Sequence, residues 1–355
     1  MENRQIWYIK VKFFYMQSLQ GRGPHTVEKE GQTMRYQKLG RTGLEVSQIC
    51  LGTWPLGGGK DWTGVSEKDA MEAIECMLEG GVNFIDAAPT YGLGEGERRL
   101  GEALKGRRDK VILQTKFGSH WPHKEKLPGD KPLHDGRKEI VYQMIDESLA
   151  RLQTDYIDIY MMHWPDTSFG TPFEETAEAL EDLKRQGKIR FVGVSNFELE
   201  RLEAAEALDI IDVVQYGYSM VDQKAEPQLR WAAAHGIGTE SYGTLGAGML
   251  TGKFREFVEF DVMASRYRFY KFFRQPYFDR CQELLRVMDE IAAEKNVPLS
   301  HIAINWNLAK PFMSSVLCGV SNAAQAAENL RAMDVTLSAE EIAKLDAAIA
   351  AIELP

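Results

Sequence analysis

The sequence predicts a closed parallel (β/α)8 barrel, the TIM-barrel architecture of the α/β class, with a short N-terminal β-hairpin and long loops after its third and seventh barrel strands. Three observations predict it. Eight short apolar runs alternate with amphipathic helical patterns along the chain. Polar side chains cluster at or just beyond the ends of several of these runs, as at the mouth of a barrel. No GxGxxG follows the first run, which an open doubly wound nucleotide-binding sheet would usually carry.

The elements follow in order. Residues 35–39 and 44–47 flank Gly40-Arg41-Thr42-Gly43 and read as the hairpin. The barrel strands are expected at 49–53, 82–86, 111–116, 156–162, 189–194, 212–215, 237–241 and 314–319. Helices are expected to begin near Ser66, Gly96, Arg137, Pro172, Glu198, Glu226, Pro276 and Asn322. Ser66 with Asp69 offers an N-cap pair, and Ser338 with Glu341 forms a capping box that opens a final helix. Two connections are long: Gly118–Gly136, punctuated by Pro122, Pro128 and Pro132, and the aromatic-rich Thr251–Gln275. Loops of this length on a barrel commonly carry function.

Length and composition set further bounds. The chain has 355 residues, 44% of them hydrophobic, ample for a large core, and barrels of this size often form one domain. The net charge of −10 argues against nucleic-acid and anionic-membrane partners. No apolar run approaches a membrane span, and the interrupted N-terminal segment is a poor signal peptide. Cys50, Cys76, Cys281 and Cys318 are scattered and read as reduced thiols, which predicts a cytoplasmic protein. Residues 1–33 are expected to be a poorly ordered extension, with the domain spanning 34–355 from Met34. His120, His123 and His134 lie in a proline-punctuated loop without the spacing of a metal site, so no metal is expected.

Four dispersed residues carry the candidate chemistry. Asp86 ends the second barrel strand, Tyr91 follows it, Lys116 ends the third and His163 the fourth. An ammonium beside a phenol stabilises the phenolate and lowers its pKa. A carboxylate holds the ammonium charged and aimed, and an imidazole can bond a substrate oxygen. Together they would give a proton to an oxygen gaining negative charge, as when a carbonyl accepts hydride. Spacing alone leaves plainer roles open: Asp86 as a turn cap, Lys116 in a barrel-end ion pair, Tyr91 as a loop aromatic, His163 as a hydrogen-bonded strand end.

The chain resembles the aldo-keto reductase family. The resemblance is carried by Leu39–Ser47, Phe84–Gly92, Thr115-Lys116, His163-Trp164-Pro165, Gly193–Phe197, Leu250–Lys253 and Glu328-Asn329, in order from about Met34 to about Ile349. It is similar above all to the bacterial and plant branch that includes potassium-channel β subunits. The resemblance implies Tyr91 as proton donor, Lys116 as the group that tunes it, Asp86 as the lysine's partner and His163 as the residue that orients the carbonyl. It implies a nicotinamide cofactor whose carboxamide is held by Ser195, Asn196 and Gln215, with Tyr242 stacked on the ring. Gly52, Thr53, Trp54 and Asp86 are also implied as cofactor-binding residues. Gly243, Leu245, Gly246, Ala247, Gly248 and Lys253 are assigned to the pyrophosphate. Gly319, Val320, Ser321 and Gln325 are assigned to the adenosine end, with Glu328 and Asn329 on adenine and ribose. Trp54, Trp121 and Trp164, with Tyr91 and His163, would line the substrate pocket, and aromatic walls suit carbonyl compounds with apolar bodies.

Two stretches depart from the family pattern. Cys318-Gly319-Val320 replaces the usual Pro-Gly-Ala, and the segment to Gln325 holds no base. Gly243-Thr244 replaces a common Ser-Pro. NADP(H) is expected on the resemblance, with NAD(H) as the alternative. The expected activity is hydride transfer between this cofactor and a small-molecule aldehyde, ketone or matching alcohol. A sugar or polyol dehydrogenase on the same site is one alternative, and a cofactor-binding regulatory subunit with little turnover is another.

Overall fold

A computed structural model of the chain describes residues 25–353, apart from 30–31, 60–61, 63, 124–130, 258, 260–266 and 268. Eight parallel strands close into a barrel. They are β4 (Ile49–Gly52), β5 (Phe84–Asp86), β6 (Ile112–Phe117), β9 (Ile157–Met162), β10 (Ile189–Ser195), β11 (Val213–Gly217), β12 (Gly238–Tyr242) and β13 (Ser315–Gly319). Each lies within two or three residues of its expected span. The ring closes where Val316 to Gly319 of β13 pair with Ile49 to Gly52 of β4. Every strand of the ring is buried along most of its length, because side chains fill the lumen on one face and helices cover the other.

Helices follow the strands: α1 (Glu67–Glu79), α2 (Glu95–Ala103), α3 (Lys138–Leu152), α4 (Phe173–Arg185), α5 (Leu199–Glu206), α6 (Glu226–Ala234), α7 (Tyr277–Lys295), α8 (Leu299–Leu308), α9 (Ala323–Leu330) and α10 (Ala339–Ala351). Both cap readings hold: Ser66 and Asp69 form a full capping box on α1, and Ser338 and Glu341 form one on α10. Helix α8 was not anticipated by the sequence pattern. It is buried on nearly every side, so it lacks the polar stripe that marks a surface helix.

At the closed end of the barrel, β2 (Gln32–Lys38) pairs antiparallel with β3 (Glu45–Ser47), the expected hairpin. Strand β1 (His25–Lys29) pairs antiparallel with β2. The ladder therefore starts inside the span read as an extension, nine residues before Met34. The rest of that expectation, residues 1–24, lies outside the described residues. The loop after β6 carries a short antiparallel pair, β7 (Ser119–His120) with β8 (Leu133–His134). The loop after β12 opens with a 3-10 segment at Gly246–Thr251. No helix among the described residues is long and apolar enough to cross a membrane.

Candidate active site

The C-terminal ends of β5, β6 and β9 bring the four candidate residues together. Asp86 is the last residue of β5 and Lys116 lies near the end of β6, which pair in register so that Asp86 faces Gln114 and both side chains enter the lumen. Lys116 is fully buried, and its ammonium bonds Asp86 Oδ1. It also donates to the Ala87 carbonyl at 3.1 Å and to the Tyr91 hydroxyl at 3.1 Å. The Tyr91 hydroxyl donates to Asp86 Oδ2 at 3.4 Å. His163 lies edge-on to the Tyr91 ring, with centroids 6.1 Å apart. Its backbone is tied to β6 by a bond to the Phe117 carbonyl at 3.0 Å.

Tyr91 is fixed by a close backbone approach. The 3-10 turn Pro55–Gly57 runs against residues 91–92, and a Cβ on Gly57 would stand 2.6 Å from the Tyr91 carbonyl carbon. Gly92 has φ +61°, and a Cβ there would strike the Gly57 carbonyl oxygen. The two glycines are therefore what lets the loops after β4 and β5 interlock. Thr53 strengthens the contact, donating from its backbone and hydroxyl to the Asp86 carbonyl at 3.1 and 2.8 Å.

Electrostatics correct one expectation. Burial pushes the Tyr91 phenol well above its ordinary range, and the Asp86 charge adds to this. The lowering expected from Lys116 is therefore not what the folded site yields. Asp86 offsets the ammonium, and burial penalises the phenolate, so Tyr91 stays protonated. Burial also drives the His163 imidazole well below its ordinary value, with Lys116 adding, so that ring is neutral.

Beside this cluster lie the residues expected to hold a nicotinamide. Asn196, with φ +63°, follows β10. Its amide donates to the His163 carbonyl at 3.0 Å and to Ser195 Oγ at 3.0 Å. Its carbonyl accepts from the Tyr242 hydroxyl at 2.8 Å. The chain Tyr91, His163, Asn196, Tyr242 is thus continuous across the mouth. Tyr242 lies across the end of β11, where a Cβ on Gly217 would come within 3.2 Å of its ring. An amide donor-acceptor beside a flat aromatic face fits a planar carboxamide-bearing ring. Gln215 departs from expectation in part: its amide nitrogen is turned inward to Asp86 Oδ1 and Glu240 Oε2, both at 3.1 Å.

The remaining candidates form two further groups. After Gly243, Gly246, Ala247 and Gly248 take φ of +55°, +50° and +99°, a compact turn beside Leu245. Thr244 anchors it to β13 through the Leu317 carbonyl at 3.0 Å, and Lys253 stands exposed beyond. At the start of α9, Gly319 is exposed and Val320 buried. Asn322 accepts from the Gln325 backbone at 3.0 Å, and Gln325 Oε1 accepts from the Ser321 backbone at 2.9 Å. Glu328 is held by the Ser300 hydroxyl at 3.0 Å, and neighbouring Asn329 is buried.

The three tryptophans expected to line the substrate pocket follow β4, β7 and β9. Trp54 lies 6.4 Å from the Tyr91 ring. Trp164 is 40% exposed and stacks on His134 at 5.6 Å. Trp121 is half-buried just after β7.

One ionisable residue escaped the sequence reading. Glu240, in the middle of β12, is fully buried in the lumen beneath Asp86. Its only sequence signal is a lone charge inside an otherwise uncharged strand.

The molecule is a closed (β/α)8 barrel with a buried Lys–Asp pair beside a tyrosine at its mouth. The comparisons agree: the model of the aldo/keto reductase family matches residues 48–350, and the chain belongs to that family. It is 37% identical to aldo-keto reductase YhdN of Bacillus subtilis (strain 168) over 296 residues, 82% of this chain and 86% of that protein. It is 33% identical to the NADH-specific methylglyoxal reductase of Escherichia coli (strain K12) over 316 residues, 86% and 95% of the two chains. A probable voltage-gated potassium channel β subunit of Arabidopsis thaliana is 32% identical over 314 residues, 85% and 92%. Among solved structures, a glycerol dehydrogenase of Gluconobacter oxydans superposes with a TM-score of 0.80 at 28% identity, covering 90% of this chain and 96% of that one.

Proposed function

We propose that this protein transfers hydride between a nicotinamide cofactor and a small aldehyde or ketone, or the matching alcohol, with Tyr91 as the general acid. The observation that carries the reading is the hydroxyl of Tyr91 held 3.1 Å from a buried ammonium that is itself paired with Asp86. The nicotinamide supplies or accepts the hydride when bound. Tyr91 gives its O–H proton to the substrate oxygen. The phenolate left behind is stabilised by the Lys116 ammonium, which Asp86 keeps aimed. Neutral His163 hydrogen-bonds the same oxygen. Ser195, Asn196 and Gln215 would hold the carboxamide and Tyr242 would cover the ring. The turn after Gly243 would take the pyrophosphate, and the start of α9, with Glu328 and Asn329, the adenosine end.

Protonated Tyr91 is the acid for carbonyl reduction, and its phenolate is the base for the reverse oxidation, so the same groups serve both directions. Likeness to a glycerol dehydrogenase supports polyol oxidation as the second reading. NADP(H) remains our assignment on family grounds. The bonds within Ser321, Asn322 and Gln325, and an NADH-specific relative, support a modest preference with NAD(H) also used. The four free cysteines are in keeping with a cytoplasmic protein.

A panel of aldehydes, ketones, sugars and polyols tests the reading, with nicotinamide absorbance followed in both directions. Carbonyl-dependent loss of NADPH or NADH is the expected result. Cofactor binding without turnover on any compound would favour the regulatory-subunit alternative instead.

A further inference from the structure

Beneath the reactive residues the lumen holds a second carboxyl. Glu240 Oε2 accepts from Gln114 Nε2 at 2.8 Å and from Gln215 Nε2 at 3.1 Å. Each of these nitrogens also donates to Asp86 Oδ1, at 2.7 and 3.1 Å. Two amides thus bridge two carboxyl groups, and Asp86 Oδ1 collects three N–H donors when Lys116 is included. Glu240 Oε1 and Gln114 Oε1 are buried in this tier without a hydrogen-bond partner. An ionised carboxylate would leave Oε1 buried and charged with no donor, which favours the proton-bearing form of Glu240.

We propose that Glu240 is a positioning residue of this site: a proton-bearing carboxyl that clamps Asp86 against Lys116 through the two glutamine amides, and whose deprotonation weakens Tyr91 as an acid. The inference rests on the proposed proton transfer by Tyr91. With its proton, Glu240 leaves one buried negative charge, Asp86, against one positive charge, Lys116. Without it, a second negative charge stands beside the pair. That charge draws on the ammonium and makes the phenolate harder to form.

Burial pushes Glu240 up to about 8, with the Asp86 charge adding and Gln215, Gln114 and Lys116 opposing. The titratable groups around it are Asp86 on β5, Lys116 on β6 and the Cys50 thiol on β4, which burial and the Glu240 charge hold well above its ordinary range. From β11 the facing residue is neutral Gln215, and from β13 it is Ser315, with the raised Cys318 thiol further along that strand. Of the three groups raised by burial, Glu240, Cys50 and Cys318, Glu240 is the one brought between pH 7 and 9.

The test compares wild type with Glu240→Gln, which keeps the shape and removes the titration. Wild-type kcat for carbonyl reduction is expected to fall about tenfold from pH 7 to 9, while the variant stays level. Infrared difference spectra of the cofactor-free protein give an independent readout: a protonated-carboxyl band that disappears near pH 8 in wild type and is absent from the variant. Parallel kcat profiles, or no such band at pH 6, would overturn the inference. If neither protein turns over any substrate, the functional reading has failed on its own, and the infrared titration alone decides whether Glu240 carries the proton. Circular dichroism confirms that the variant is folded.

Discussion

The Lys116 ammonium lies 3.1 Å from the Tyr91 hydroxyl, and it is held there from a position with no access to solvent. The reach is set by the barrel. Lys116 enters the lumen from β6, Asp86 fixes its head from β5, and the Gly57–Gly92 contact sets the height of the tyrosine.

The first prediction concerns this pair. Lys116→Met leaves Asp86 buried without its cation, which costs about 3–5 kcal/mol of stability. It also removes the charge that stabilises the Tyr91 phenolate. Thermal unfolding and steady-state kinetics should show a lower Tm together with a kcat reduced by at least about 10²-fold. A variant with unchanged kcat would place the proton donor elsewhere.

Gly57→Ala tests the positioning of Tyr91 without changing a polar side chain. The added Cβ would meet Tyr91 and Gly92 backbone atoms at 2.6 to 2.8 Å, so the loop carrying the phenol must move. A displacement of this size costs about 10²-fold in turnover. The barrel itself stays folded, as circular dichroism would show. Full activity would mean that the interlock does not set the tyrosine.

Much of this was legible in the sequence because barrel strands buried on both faces read as continuous apolar runs. All eight were found that way, and the turns after them located Asp86, Tyr91, Lys116 and His163. Helix α8 was missed because burial on nearly every side erases the amphipathic pattern. Strand β1 lies ahead of the hairpin that marked the domain start. The direction of the Tyr91 shift depends on how much solvent reaches the phenol, which spacing does not encode. Glu240 looked like one polar residue in a strand, and its bridge to Asp86 spans 154 positions through Gln114 and Gln215. The internal bonds of Ser321, Asn322 and Gln325 are likewise a property of the folded turn.

His163 gives a prediction in pH. Its folded-state pKa lies well below 6.5 through burial and Lys116, so the neutral ring is the native form. The unfolded chain takes up this proton first as pH falls. The resulting stability is fully present above about 6.5 and is lost as pH drops through that value toward the folded pKa. His163→Gln should flatten the acid limb of a Tm-versus-pH curve. An identical limb in both proteins would contradict the neutral assignment.

The adenosine end makes a prediction about cofactor choice. Gln325 is exposed in the first turn of α9, in a segment without a base. Gln325→Arg adds a cation that can pair with a 2′-phosphate, an interaction of about 1.5–3 kcal/mol. The kcat/KM ratio of NADPH to NADH should rise by about tenfold or more. No change in that ratio would show that the phosphate lies elsewhere.

The most direct measurement of the central claim is carbonyl-dependent oxidation of the reduced nicotinamide by Tyr91→Phe beside wild type, with cofactor affinity read in parallel by fluorescence. Loss of the hydroxyl removes the 3.4 Å bond to Asp86, the 3.1 Å bond from Lys116 and the acidic proton, but none of the proposed cofactor contacts. The account predicts turnover lower by about 10²–10⁴-fold at nearly unchanged cofactor affinity. Turnover equal to wild type would contradict it.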